Sequence, residues 1–402
     1  MKHIPFRSTR SSNVLCNTVS LIAMLLAAGS TSAWAATGNA QNAQIGPGAV
    51  IVHSRFGGQI FGFDIDQNGT EGLLTEARTL PDGRTLAAVE TFNQATGEIT
   101  KVVQKVLSKD DFITLGIVGT SVGLVEREHV NNLFVDKRIY RMLNPLSAHV
   151  FTGTWTPPFT KDDIITSVTR VQGTDTTLFL YFENGADDRV SVLASNVAAN
   201  TFGIDMQIPG RPFVLANSPS LAYDYVKNRA VVAASEAEVG GPPPLIALID
   251  LDSGNVSVFP GIQGPFPFRQ GMINGLAVDS EDGIAVTTTE VDFAVQFYDL
   301  ETQTGFSQKM PGATGQLQSG SDVQYDPIHK LFFVAQEVSS TGPGSSIQVY
   351  DIHGNLVESL DGFDFSNRSA VIFAHIALNP ANRSGYIDGP SDRLGQLQSF
   401  TY

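Results

Sequence analysis

The chain holds 402 residues, 40 of them acidic against 25 Lys and Arg, for a formal net charge of −15. A surface that acidic repels nucleic acid and anionic lipid and favours cations or basic partners.

The first 35 residues read as a leader. Lys2, Arg7 and Arg10 are basic, "VSLIAMLLAAG" is apolar but too short to span a bilayer, and "SAWA" ends in a small-x-small cleavage pattern. Residues 1–35 are therefore expected to be a signal peptide cut after Ala35, with a retained signal anchor as the alternative. Cys16, the one cysteine, precedes the apolar core, which argues against a lipoprotein anchor. Cleavage removes three cations and no acids, so the net charge moves from −15 to −18. The mature chain has no cysteine, which excludes thiol chemistry and covalent c-type haem and leaves the fold to stand on its core alone. No later stretch reaches the roughly 18 apolar residues of a membrane helix. An exported protein, periplasmic or extracellular, without membrane insertion and monomeric, is expected. Residues 36–47 read as a flexible lead-in.

From residue 48 on, helical periodicity gives way to short apolar runs rich in Val, Ile, Phe and Thr, punctuated by Gly, Pro, Asn and Asp, the pattern of many short strands. "DIDQNGTEG" (64–72) comes first and looks like the start of a calcium loop, with Asp64, Asp66 and Asn68 alternating before Gly69. An EF-hand would also need a bidentate Glu at its twelfth position, where Thr75 stands. A turn between strands favours the same Asp, Asn and Gly for backbone reasons. Both readings stay open, the turn first.

"SKDDFIT" (108–114) recurs as "TKDDIIT" (160–166), each leading to a strand that ends in Glu126 or Glu183. In "EREH" (126–129) strand alternation separates Glu126 and Glu128 from His129, so a charged rim strand is expected. "GGPPPL" (240–245) reads as a stiff spacer. The repeat then sharpens. "LAYDYVKNRAVVAASE" (221–236), "LAVDSEDGIAVTTTE" (276–290) and "VQYDPIHKLFFVAQE" (323–337) share one template, and "IALNPANRSGYID" (376–388) shortens it. Hairpins "ALIDLDSGNVSVF", "QFYDLETQTGFSQ" and "QVYDIHGNLVESL" follow the first three; their Asp250, Asp299 and Asp351 lie 49 and 52 residues apart. "FGFDIDQNGTEGLL" aligns Asp64 with these aspartates and Gly69 with the turn glycines Gly254, Gly305 and Gly354. Four strands per period of about 50 residues is what a propeller blade needs. The expectation is an all-β, seven-bladed β-propeller over residues 48–402, with six or eight blades left open and a closing blade shared between the chain termini.

The Y-D-h-x-x-G-x-h hairpins over residues 217 to 402 resemble those of YVTN-type and NHL-type bacterial propellers. The resemblance implies the repeat architecture and leaves the activity open.

Two sets of residues could carry function. Glu126, Glu183, Glu236, Glu290, Glu337 and Asp388 each end the second strand of a unit, which would gather them on one face as a ring of negative potential for a protein, peptide or cation. They could equally be strand ends meeting water or a neighbouring base. Asp111, Asp163, Asn274, Asp322 and His375 open the innermost strands and could hold Ca2+ or another divalent cation in the channel. Metal-dependent lactonase propellers work in this manner, a precedent by resemblance only, and their ligand set is not matched residue by residue. The paired aspartates could also be turn residues. No serine nucleophile elbow, HExxH or glycine-rich phosphate loop occurs. The expected function is a non-catalytic binding propeller, with no cofactor established; the alternative is a divalent-metal hydrolase or lactonase.

Overall fold

A computed structural model describes residues 45–402 apart from segments 66–69, 108–112, 119–120, 127–139, 145–148, 156–162, 175, 184–188, 197–200, 211, 214–219, 237–244, 263–272, 290–293, 312–319, 337–345, 364–374 and 389–394. Residues 1–44 lie outside it, and the last two residues of the expected flexible lead-in, Gly46 and Pro47, belong to the first strand. Apart from one 3-10 turn at Pro380–Asn382, every described element is a strand.

In chain order, β1 is Gly46–His53. The first complete blade follows: β2 (Gln59–Ile65), β3 (Glu71–Thr79), β4 (Thr85–Asn93) and β5 (Ile99–Leu107). Two hairpins come next, β6 (Ile113–Val118) with β7 (Ser121–Glu126), and β8 (Tyr140–Asn144) with β9 (His149–Trp155). Another blade holds β10 (Asp163–Arg170), β11 (Thr177–Glu183), β12 (Arg189–Asn196) and β13 (Thr201–Gln207). Then β14 (Pro212–Phe213) and β15 (Leu221–Asp224) both pair with β16 (Arg229–Glu236), which continues into β17 (Leu245–Asp250) and β18 (Val256–Pro260). Two regular blades follow: β19 (Ile273–Asp279), β20 (Ile284–Thr289), β21 (Ala294–Asp299) and β22 (Thr304–Lys309); then β23 (Gly320–Asp326), β24 (Leu331–Gln336), β25 (Ser346–Asp351) and β26 (Leu356–Leu360). Finally β27 (Ile376–Asn379), β28 (Ser384–Asp388) and β29 (Gln396–Thr401) take β1 as their outermost strand.

This is a β-propeller of six blades, not the seven expected. Where the remaining blade would stand, the two hairpins form separate two-stranded sheets, with β6 beside β2 and β10 and β7 alongside β8. The ring closes through the termini. Gly46 pairs with Thr401 and His53 with Gln396, the Val50 amide donates to Ser399 Oγ at 3.2 Å, and Gln398 donates to the Gly48 carbonyl at 3.2 Å. Two strand edges that would template aggregation are paired with each other.

The core lies between blades. Val231, Ala233, Ile246 and Leu248 of one blade pack on Leu276, Ala285 and Tyr298 of the next, and Phe333, Ile347 and Val349 pack on Ile376, Ile387 and Phe400. The middle strands are therefore buried on both faces and read as continuous apolar runs, such as "AVVAA" in β16. The outermost strands are mostly exposed, as in "TFGIDMQ" of β13.

The repeat template becomes one local device. Asp224, Asp279, Asp326 and Asn379, all buried, end the innermost strands, and each side chain accepts backbone N–H groups two or three residues on: Val226 and Lys227, Glu281 and Asp282, Ile328 and His329, and Asn382. Four residues after each, Asn228, Gly283, Lys330 and Arg383 take positive φ between 48° and 68° to reverse the chain.

The first blade corrects the alignment of "DIDQNGTEG". Ile65 pairs with Gly72, so Asp64 sits before the turn joining the first and second strands, not in the hairpin of the third and fourth. The true counterpart of Asp250 is Asn93: its side chain accepts from Ala95 and Thr96, and Gly97 at φ 73° donates to its carbonyl, as Gly254 at φ 74° does to Asp250. Asp66, Asn68 and Gly69 lie outside the described residues. Gly305 also moves, from turn to strand β22, while Gln303 takes positive φ.

Candidate functional site

Strands alternate in direction, so every second strand ends on the face where innermost strands begin. Glu183 pairs with Asp163, Glu236 with Pro212 and Glu126 with Ile113, which places these residues at strand ends. Asp163 is thus part of β10 and not of a turn. Asn274 lies in β19 where the register shifts between Ile273 and Gly275. Asp111, Glu290 and Glu337 lie outside the described residues.

Three candidates meet, drawn from both sets: Asp322, His375 and Asp388. Asp388 ends β28 directly beside the residue that opens β27. Its Oδ2 stands 2.9 Å from His375 Nδ1, its Oδ1 accepts the His375 amide, and its own amide donates to the His375 carbonyl at 3.2 Å. Asp322 belongs to the neighbouring blade. Its Oδ2 accepts the Ile376 amide at 2.8 Å and its Oδ1 the Val323 amide at 2.8 Å, while Gln324 Nε2 lies 3.3 Å from both oxygens. The trio therefore fastens the start of the last innermost strand to its own blade and to the one before.

Electrostatics follow from that enclosure. Burial disfavours the charged imidazole, but the Asp388 carboxylate hydrogen-bonded to it and the nearby Asp322 outweigh burial and raise His375 to about 9. Burial raises the Asp322 carboxyl, partly offset by the His375 charge and the amides it accepts. At neutral pH His375 is an imidazolium. A metal would have to displace its proton, and a general base would have to start without it. Among the described residues no three His, Asp or Glu side chains are grouped to hold a metal ion.

A second buried cluster went unseen in the sequence. Glu76 and Glu90, in the middle strands of the first blade, are 1% and 0% exposed. The connection from the closing blade wraps over them. Ser54 Oγ and the Gly58 amide donate to Glu76 Oε2 at 2.8 and 2.7 Å, the Phe56 amide donates to Oε1 at 3.0 Å, and the Arg55 amide donates to Glu90 Oε2 at 2.9 Å. Glu90 Oε1 is buried and no group donates a hydrogen bond to it. Burial first, then the adjacent Glu76 carboxylate, raises Glu90 to about 8 against the Arg55 amide, so it carries a proton at neutral pH. The available signal was a Glu inside each of the strands "LLTEA" and "LAAVETF", whose flanking residues leave no polar face. Glu76 and Asp388 share an office: an acid near the end of a second strand gathers the backbone N–H groups of the chain entering its own blade.

Comparison with known proteins supports the architecture. No family model and no curated protein matches the chain. Solved structures do. A chain of the mitotic checkpoint complex aligns with TM-score 0.59 at 10% identity, over 95% of this chain and 99% of that one. The WD40 repeats of RRP9 align with TM-score 0.57 at 12% identity, over 89% and 99%. The β-propeller domain of Myceliophteria thermophila Cps50 (Swd1) aligns with TM-score 0.57 at 9% identity, over 88% and 98%. At such identities the likeness is one of fold alone, and it makes this chain a β-propeller repeat protein with WD40-type structural neighbours.

Proposed function

We propose that the chain is an exported, non-catalytic propeller of the YVTN/NHL kind that binds a basic protein or peptide. Its leader directs it to the periplasm or the cell exterior. The observation that carries binding over hydrolysis is the pairing of His375 with Asp388. Of the channel candidates whose side chains are described, His375 is paired with Asp388 and Asp322 accepts backbone amides, whereas metal catalysis needs deprotonated ligands converging on an open position. The neighbouring fold supports a scaffold role by analogy: two of the structural matches are a checkpoint complex and a set of WD40 repeats. The excess of acid over base favours a basic ligand.

Thermal melts with and without millimolar CaCl2 or MgCl2, beside a lactone and ester hydrolysis panel, test this. Unchanged melting and no turnover above buffer are expected. A calcium-dependent rise in Tm that Asp322→Ala removes would overturn the reading in favour of the metal hydrolase, and one that Asp66→Ala removes would place calcium in the 64–72 loop.

A further inference from the structure

Between Asp224 and Ser384, seven short turns that join first to second and third to fourth strands lie on the face opposite the strand-end acids. Resting on the binding function just argued, we propose that this turn face, centred on Tyr225, Val226 and Ile328, is the docking surface, and that its partner is a polypeptide segment carrying aliphatic side chains among Lys and Arg.

Apolar exposure comes first. Tyr225, Val226 and Ile328 are 45%, 51% and 62% exposed, on turns anchored by buried aspartates. They are set out by the repeat: Val226, Glu281, Ile328 and Ala381 all stand two residues after the buried Asp or Asn, so they take equivalent places in four successive blades. The ring is held in register between blades. The Tyr225 amide donates to Ser280 Oγ at 3.1 Å and its hydroxyl to Glu281 at 3.3 Å, and Lys330 reaches Asp282 at 2.6 Å. Apolar side chains held on such a preorganised frame lose little entropy on binding.

Charge then selects the occupant. The seven turns (224–229, 250–256, 279–284, 299–304, 326–331, 351–356 and 379–384) carry seven carboxylates besides the buried Asp224, Asp279 and Asp326, and four Lys or Arg. All four cations are already engaged. Lys227 and Arg229 meet Glu301, Arg229 also meets Asp224, Lys330 meets Asp282, and Arg383 lies over the Tyr402 ring. The surplus is negative and stays so toward acid pH. Hydrogen bonds from Ser253 hold the Asp250 carboxyl below its usual range, and the Thr302 amide does the same for Asp299. A second copy of this acidic chain, an anionic membrane and a nucleic acid are all repelled. A basic segment with apolar anchors is complementary on both counts.

A random peptide library displayed on phage and selected on the full chain tests the proposal, followed by fluorescence anisotropy of the strongest peptide. Selected sequences should combine Lys or Arg with aliphatic or aromatic residues and bind more weakly as salt rises. Val226→Ser with Ile328→Ser should weaken binding by about tenfold or more, since buried apolar anchors dominate such contacts. Asp82→Ala, in an exposed turn of the other face, should leave it unchanged. Peptides that bind the double variant as well as the wild type would overturn this surface while leaving a binding propeller. Failure to enrich any peptide would overturn the binding function itself. Circular dichroism melts of the double variant, expected to match the wild type, show that a lost interaction is not a lost fold.

Discussion

Asp388 grips His375 at both its ring and its backbone: one carboxylate oxygen lies 2.9 Å from Nδ1 and the other takes the amide. Because the folded state raises the imidazole from 6.5 to about 9, this pair contributes stability that is complete below about 6.5 and is lost as pH rises toward 9. The loss should be about 2 to 3 kcal/mol, allowing for a side chain that is still 17% exposed. Urea unfolding at pH 6 and 9.5 should show a fall larger by that amount in the wild type than in His375→Gln, which keeps every other titrating group. Equal falls in the two proteins would mean the imidazole is not charged in the fold.

Glu90 works in the same direction over a lower window. Its carboxyl, raised from 4.5 to about 8, gives stability that is complete below about 4.5 and is lost between there and 8, since the unfolded chain gains from ionising earlier than the fold can. Glu90→Gln keeps the shape and cannot ionise. It should flatten the stability profile between those limits and leave the protein more stable at pH 8 by up to about 4 kcal/mol. A variant less stable than wild type at pH 8 would show that the ionised carboxylate is needed.

What the sequence disclosed and withheld divides along physical lines. The turn after each innermost strand was legible, because one Asp or Asn must hold two amides there and only a few residues accept positive φ. Shared termini were legible because neither end supplies four strands. The third and fourth strands of the first blade were not, because Asn93 replaces the aspartate and the strands around it are less apolar, so "DIDQNGTEG" matched the wrong turn. Spacing could bring Asp322, His375 and Asp388 to one face, but it could not show that they would satisfy one another. Glu76 and Glu90 were hidden because, apart from the Ser54 hydroxyl, their partners are backbone amides, which carry no sequence signal.

Asp224 offers a graded test of the repeat device. Its Oδ1 takes the Val226 and Lys227 amides, and its Oδ2 takes Arg229 Nε at 2.8 Å. Asp224→Ala orphans both amides and the cation and should cost about 3 kcal/mol. Asp224→Asn retains an acceptor for the turn, as Asn379 does in the last copy, and should cost about half as much. Urea midpoints in the order wild type, Asn, Ala are expected; equal losses would assign the whole effect to the Arg229 pair.

Ring closure through β1 and β29 makes opposite demands on two constructions of the chain. Ending the chain at Gly395 removes β29, strips β1 and β28 of their shared partner, and deletes Leu397 and Phe400, both 0% exposed. Two bare edges and an uncovered core should give aggregation and no cooperative melt. A circular permutant should behave differently. Thr401 pairs with Gly46, so a short Gly-Ser linker can join Tyr402 to Ile45, and new ends between the exposed Asp82 and Gly83 fall in the turn between β3 and β4. Every strand then keeps its neighbours, and the break moves from one blade to another. The permutant should elute with the wild type in size-exclusion chromatography, with a single melt lowered by about 2 to 5 °C for the opened turn. If the truncated chain melts cooperatively, the ring does not depend on its termini, and a permutant that fails to fold would mean that closure at β1–β29 is needed for more than the pairing of edges.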